Sequence, residues 1–170
     1  TASGSSSIEF TSGIDSTYDI YKWEVINWHP SNDGPYQSIN FSTDSGSTYA
    51  VTKTSTSFWT AHDEADTSTQ LDYQAGTDLA QSTANQHIMT GIGNDNDQSG
   101  SGTIYLFAPS SSTYVKHYIC DFQFYYYGDF TIRQFTAGYC NTTSPVNAIK
   151  FVMGSGNIDV GTFKMYGISA

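Results

Sequence analysis

Large apolar side chains recur at every second position along most of this chain, in short runs separated by Ser, Thr, Asn, Asp and Gly. The clearest case is residues 114–139, YVKHYICDFQFYYYGDFTIRQFTAGY. Tyr118, Cys120, Phe122, Phe124 and Tyr126 share one parity, while Val115, His117, Ile119, Asp121, Gln123 and Tyr125 share the other. Side chains two apart lie on one face of a strand, so one face of this segment is dry and the other mixed. A helix would spread the same aromatics round all its sides and enclose Gly128. The pattern therefore predicts two aromatic strands joined by a tight turn at Gly128-Asp129. A dry strand face needs a second sheet to cover it, which implies a sandwich or a barrel.

The same alternation predicts strands over residues 7–12, 19–29, 36–43, 85–92, 103–108, 148–153 and 161–168, with one or two more within 48–60. Pro30 ends the second of these, and Ser31-Asn32-Asp33-Gly34-Pro35 is a run of turn formers. Residues 61–84 carry His62, Asp63, Glu64, Asp66, Asp72 and Asp78 with few large apolar groups, and predict a long excursion at a rim, with a helical turn over 68–73. Residues 1–7 are small and polar and predict a flexible N-terminal arm ahead of a single domain spanning 8–170. Several strands are apolar on both faces, which argues that a neighbouring subunit covers one of them. Most aromatics belong to the core on this pattern. Trp28, Tyr125 and Tyr127, near loops or on mixed faces, are the ones least committed to it.

Composition sharpens the picture. Aromatic residues make up 15% and charged residues only 13%, and the chain is poor in the Glu, Lys and Leu that long helices draw on. The expected fold is all-β, an antiparallel β-sandwich of the jelly-roll type with nine or ten strands. Only 6 Lys and Arg face 16 Asp and Glu, for a formal net charge of −10. Such a chain lacks the basic footprint of a nucleic-acid binder and is repelled by anionic membrane surfaces. No apolar run approaches the roughly 20 residues that span a bilayer. With the turn centred on Gly128, Cys120 opposes Thr136 and Cys140 opposes Lys116. The two thiols then lie about 13 Å apart along the strands, too far for a disulfide, and are expected to be free.

Candidate chemistry is sparse. His62-Asp63-Glu64-x-Asp66 gathers metal-binding groups without the spacing of H-E-x-x-H or of a calcium loop, and Asn94-Asp95-Asn96-Asp97-Gln98 lacks the glycine and distant glutamate of such a loop. Glu9, Glu24 and Asp121 are the strand-borne carboxylates, and nothing pairs them for glycoside hydrolysis. No G-x-S-x-G elbow is present, and Cys120 has no neighbouring cation to activate it. The expectation is a protein that is not an enzyme, with no catalytic, cofactor-binding or metal residues and no cofactor.

Five stretches carry a resemblance: FTSGIDSTYDIYKWEVINWHP, FSTDSGSTYAVTKTS, DLAQSTANQ, GIGNDNDQSGSGTIYLFAPSSSTYVKH and AIKFVMGSGNIDVGTFKMYGI. Through them, the last above all, the chain resembles small virion structural proteins of tailed phages that infect cyanobacteria and other aquatic bacteria. The central FQFYYYGDFTIRQF lies outside the likeness. The resemblance implies a structural protein of the virion, assembled in the host cytoplasm. Its leading form is a capsid decoration or cement protein, a homo-oligomer, most naturally a trimer, bound to the major capsid protein. The alternative is a tail-fibre or lectin-like module that binds host-surface glycan.

Overall fold

The computed structural model describes residues 1–169, which form two antiparallel sheets and no helix. In chain order the strands are β1 (Ala2–Ser5), β2 (Ser7–Phe10), β3 (Ile20–Pro30), β4 (Tyr36–Ser42), β5 (Lys53–Asp63), β6 (Thr69–Tyr73), β7 (Gln86–Thr90), β8 (Gly100–Phe107), β9 (Lys116–Tyr126), β10 (Phe130–Cys140), β11 (Ala148–Met153) and β12 (Ile158–Ile168). The larger sheet has eight strands in the order β1-β12-β3-β8-β9-β10-β5-β6, and the smaller has four in the order β2-β11-β4-β7. The chain crosses from one sheet to the other at eight of its eleven connections; β5–β6 and the up-and-down run β8-β9-β10 instead stay inside the larger sheet.

The central hairpin forms as its alternation predicts. Thr136 opposes Cys120 and Cys140 opposes Lys116, and both cysteines are buried and free. Tyr118, Cys120, Phe122 and Phe124 lie wholly inside. They face Ile39 and Phe41 of β4, Ile88 and Met89 of β7 and Ile149 and Phe151 of β11, all buried. Edge-on and tilted rings bridge the gap: Phe41 meets Tyr118 at 5.3 Å, Trp28 meets Phe151 at 6.0 Å, and Phe163 meets Phe151 at 5.0 Å between centroids. Such pairs add to the burial of apolar area that holds the sheets together. The connecting turn needs a left-handed residue, and Asp129 supplies it at φ 63°.

Three expectations need correction, and the first concerns the start of the chain. Twelve strands replace nine or ten, partly because residues 1–7 are not a flexible arm. Ala2, Ser3 and Ser5 pair with Gly161, Val160 and Ile158, Ala2 is buried, and β2 begins at Ser7. An edge strand is held by backbone hydrogen bonds, which small polar residues make as well as apolar ones, so composition gave no sign of it.

The second concerns residues 61–84. β5 continues to Asp63, and β6 returns along it with Phe58 opposite Tyr73, Thr60 opposite Leu71 and His62 opposite Thr69. The stretch 68–73, expected to make a helical turn, is therefore strand. All five β6 side chains are exposed, which removes the period that marks a half-buried strand. The rim position does hold, since β6 is the outer edge of the larger sheet.

The third concerns Trp28, which is fully buried. The pairing of β3 with β8 shifts between Val25 and Trp28, where Asn27 takes φ 53°. A bulge of this kind reverses which parity faces inward. Tyr21, Trp23 and Val25 point into the core before it, Trp28 and Pro30 after it.

Candidate functional site

The outer face of the eight-stranded sheet has no second layer over it. Its side chains come from the parity opposite the core, and the register places them in rows. One row runs Tyr73, Phe58, Phe135, Asp121, Thr103, Glu24, Lys164 across seven strands; the next runs Thr56, Ala137, Ile119, Tyr105, Lys22, Tyr166. Phe58 and Phe135 stack at 4.9 Å and an interplanar angle of 17°, and Tyr105 lies nearly parallel to Phe107 at 6.2 Å. Phe58 is 42% exposed, Ile119 47%, Tyr166 42% and Tyr73 58%. Scattered single apolar residues are normal on a surface, but a set arranged in contiguous rows is a patch.

Four of the charges on this face are held in two ion pairs. The Arg133 guanidinium donates to both Asp121 carboxylate oxygens, at 3.0 and 2.7 Å, and lies over the Phe135 ring at 4.6 Å. Lys22 donates to Glu24 at 2.8 Å and sits over the Tyr105 ring at 5.8 Å. Each pairing favours the charged forms: Glu24 holds Lys22 above the usual ammonium range, and Asp121 raises Arg133. With Lys164, the face carries three of the chain's six Lys and Arg against two carboxylates. Two more carboxylates, Asp78 and Asp129, reach its margin, where they accept from the Tyr73 and Tyr125 hydroxyls. Ala137 and Gly138 leave a shallow trough of about 580 Å³ in the face, flanked by His117, Ile119 and Tyr139.

The acidic stretches singled out in the sequence are used locally. The Asp63 carboxylate accepts from the Thr67 hydroxyl and from the Ser68 and Thr67 amides, the amides at 2.8 and 2.9 Å; the hydroxyl first, then the amides, lower its pKa, and together they close the β5–β6 turn. His62 pairs with Asp66 at 3.1 Å on the surface. In the other stretch the Gln98 amide donates to the Asp95 carbonyl at 2.9 Å, and the Asp95 carbonyl also meets His29 Nε2 at 3.1 Å. Among the described residues no three His, Cys, Asp or Glu side chains converge. Glu9, Glu24 and Asp121 do not come together either: Glu24 and Asp121 lie on the outer face, while Glu9 accepts from Tyr49 at 3.1 Å beside the smaller sheet.

Sequence reasoning missed a buried cationic pair. Lys53 and Lys116 are fully buried on either side of Cys140, each directly opposite it in the sheet. Lys53 Nζ donates to Asn40 Oδ1 and to the Val51 carbonyl, both at 2.7 Å, and Lys116 Nζ donates to the Tyr114 and Thr142 carbonyls at 3.1 Å. Burial pushes Lys53 down to about 8 and lowers Lys116, and it pushes the Cys140 thiol up to about 12 although both lysines draw it down. A thiol so raised is a weak nucleophile. The cluster ties the first residues of β5 and β9 to the segments just before them, to Asn40 of β4 and to the loop after β10. Its only sequence signal is the inward parity of Lys53 and Lys116, which an assumption of polar surface lysines passes over.

Comparison with known proteins found no matching family model, no matching curated protein and no matching solved structure.

Proposed function

We propose that this protein is a non-enzymatic structural component of a phage particle, a decoration or cement protein of jelly-roll type that works as a homo-oligomer, with the outer face of the eight-stranded sheet as its contact surface. The observation that carries the reading is the exposed rows of aromatic and aliphatic side chains on that face, with Lys22–Glu24 and Arg133–Asp121 already paired within it. Eight strands about 4.8 Å apart, several of them near 35 Å long at the usual rise, offer more than the roughly 800 Å² that each partner buries in a standard interface. The chain's charge of −10 opposes self-association over the rest of the surface, whereas three of the six Lys and Arg lie on this face. The trimer suggested by the phage resemblance uses the face in two halves, the Phe58–Phe135 side of one copy against the Tyr105–Tyr166 side of the next. A second surface is then left for the capsid shell.

Light scattering at micromolar concentration tests it. The expected mass is three times the 18.6 kDa of one chain. Phe58→Asp places a charge among the rows, and loss of an interface anchor worth about 2 kcal/mol weakens association roughly thirtyfold. A wild-type protein that runs as an 18.6 kDa monomer refutes the reading, and a dimer refutes the trimer.

A further inference from the structure

The larger sheet overhangs the smaller one. Beyond β7, the inner surface of β9, β10 and β5 loses its cover, and the side chains that would have been core there line an open cleft instead. Two hollows of about 250 and 230 Å³ adjoin at this end of the sandwich and share Trp59 and Tyr126. Tyr36, Tyr127 and Gln74 complete one, and Phe130, Ile132 and Gln70 complete the other. Together they fall in the size range of small-ligand sites, about 300–1,000 Å³.

The rings are held in fixed positions. Tyr126 and Tyr127 lie 4.3 Å apart, Tyr126 meets Phe130 edge-on at 6.1 Å, and Tyr36 stacks on His87 at 4.3 Å. Gly91, at φ 85°, is required for this arrangement, because a Cβ there would come within 2.4 Å of the Tyr126 ring. Tyr36 and Tyr127 are about half exposed. Among the described residues the side-chain amides of Gln70 and Gln74 have no partner, and neither has the buried indole N–H of Trp59. No Lys, Arg, Asp or Glu among the described residues lines either hollow.

We infer that this cleft binds a neutral carbohydrate, with a pyranose ring stacked against the Tyr126–Tyr127–Trp59 surface. A hexopyranose presents an apolar face of C–H groups and a rim of hydroxyls. The first fits flat aromatic rings, and the second fits free amides and phenol hydroxyls. Rings fixed before binding lose little freedom on capture. The absence of cations disfavours uronic or sulfated sugars, since nothing offsets the repulsion from a chain of charge −10. The site lies on the inner side of the larger sheet and does not depend on the outer face, so it stands whether or not the chain oligomerises.

Tryptophan fluorescence reads it out, because Trp23 and Trp28 are fully buried while Trp59 lines the cleft. The full chain is titrated with soluble oligosaccharides of glucose, galactose, mannose and N-acetylglucosamine, and with polygalacturonate as an acidic control. Saturable binding of at least one neutral oligosaccharide is expected, weakened at least tenfold by Tyr127→Ala and by Gln70→Ala, two exposed positions that do not threaten the fold. Phe58→Asp, on the outer face, is expected to leave it unchanged. No saturable response to any neutral oligosaccharide, binding confined to polygalacturonate, or binding abolished by Phe58→Asp but kept by Tyr127→Ala would each overturn the assignment.

Discussion

Two buried polar residues test how single side chains are balanced in this core. Gln37 sits between Met89 and Met153 in the smaller sheet, fully buried, and neither atom of its amide has a partner. An unsatisfied buried polar group carries a penalty of about 1–3 kcal/mol, whereas an apolar group of the same shape carries none. Gln37→Met is therefore expected to raise Tm, by about 2–4 °C for each kcal/mol recovered; an unchanged or lower Tm in thermal unfolding would show that the amide is satisfied. Lys53 is the opposite case, with both neighbouring acceptors used. Its folded pKa of about 8 lies below the ordinary 10.5. Between those values the unfolded chain binds more protons than the folded one. The fold therefore tolerates Lys53 best above about pH 10.5 and loses that tolerance as pH falls through 8. Lys53→Met removes the titration, so its stability relative to wild type is expected to be highest below pH 8 and to decline steadily up to pH 10.5. A difference that stays flat across this window, measured in denaturant melts, would contradict a depressed pKa.

At the scale of elements, the edges of the larger sheet hold the surprises. β1 closes one edge through three residue pairs with β12 and one buried alanine, and β6 closes the other with no buried side chain at all. Short edge strands of this sort cap a sheet against unwanted pairing. Deleting residues 1–5 removes the β1 pairs and uncovers the β12 edge. The expected result is a Tm lower by roughly 2–8 °C, equivalent to about 1–2 kcal/mol, together with a greater tendency to aggregate. A truncated protein that melts with wild type would mean that β1 contributes nothing to the fold. Aromatic alternation marked the central strands in the sequence because each has one face in the core. It could not mark β1 and β6, whose pairing is a matter of backbone alone.

For the whole molecule, the deciding feature is the mismatch of eight strands against four. A small sheet covers only part of one face of a large one. The covered part is the core; the uncovered inner end is the aromatic cleft, and the entire outer face remains open. Both surfaces on which a function is proposed here follow from that one inequality. They also explain the high aromatic content: the chain carries more large apolar side chains than a four-stranded sheet can bury.

Much of this was legible in residue order. Period-two alternation determined an all-β chain, the inward faces of most strands, and the hairpin register that keeps Cys120 and Cys140 apart, because each depends on neighbours along one strand or across one tight turn. The mixed outer face of β9 was legible too, as Val115, Ile119 and Tyr125 share the parity opposite the core with His117, Asp121 and Gln123. Tertiary structure alone decided the rest. The bulge at Asn27 turned Trp28 inward, since one extra residue reverses parity without altering composition. The pairing of β1 with β12 joins residues at opposite ends of the chain. The cleft gathers Tyr36, Trp59, Gln74 and Tyr126 from segments far apart in sequence. No local pattern records which strands become neighbours, and it is that choice, made by long-range burial and backbone pairing, that placed these side chains together.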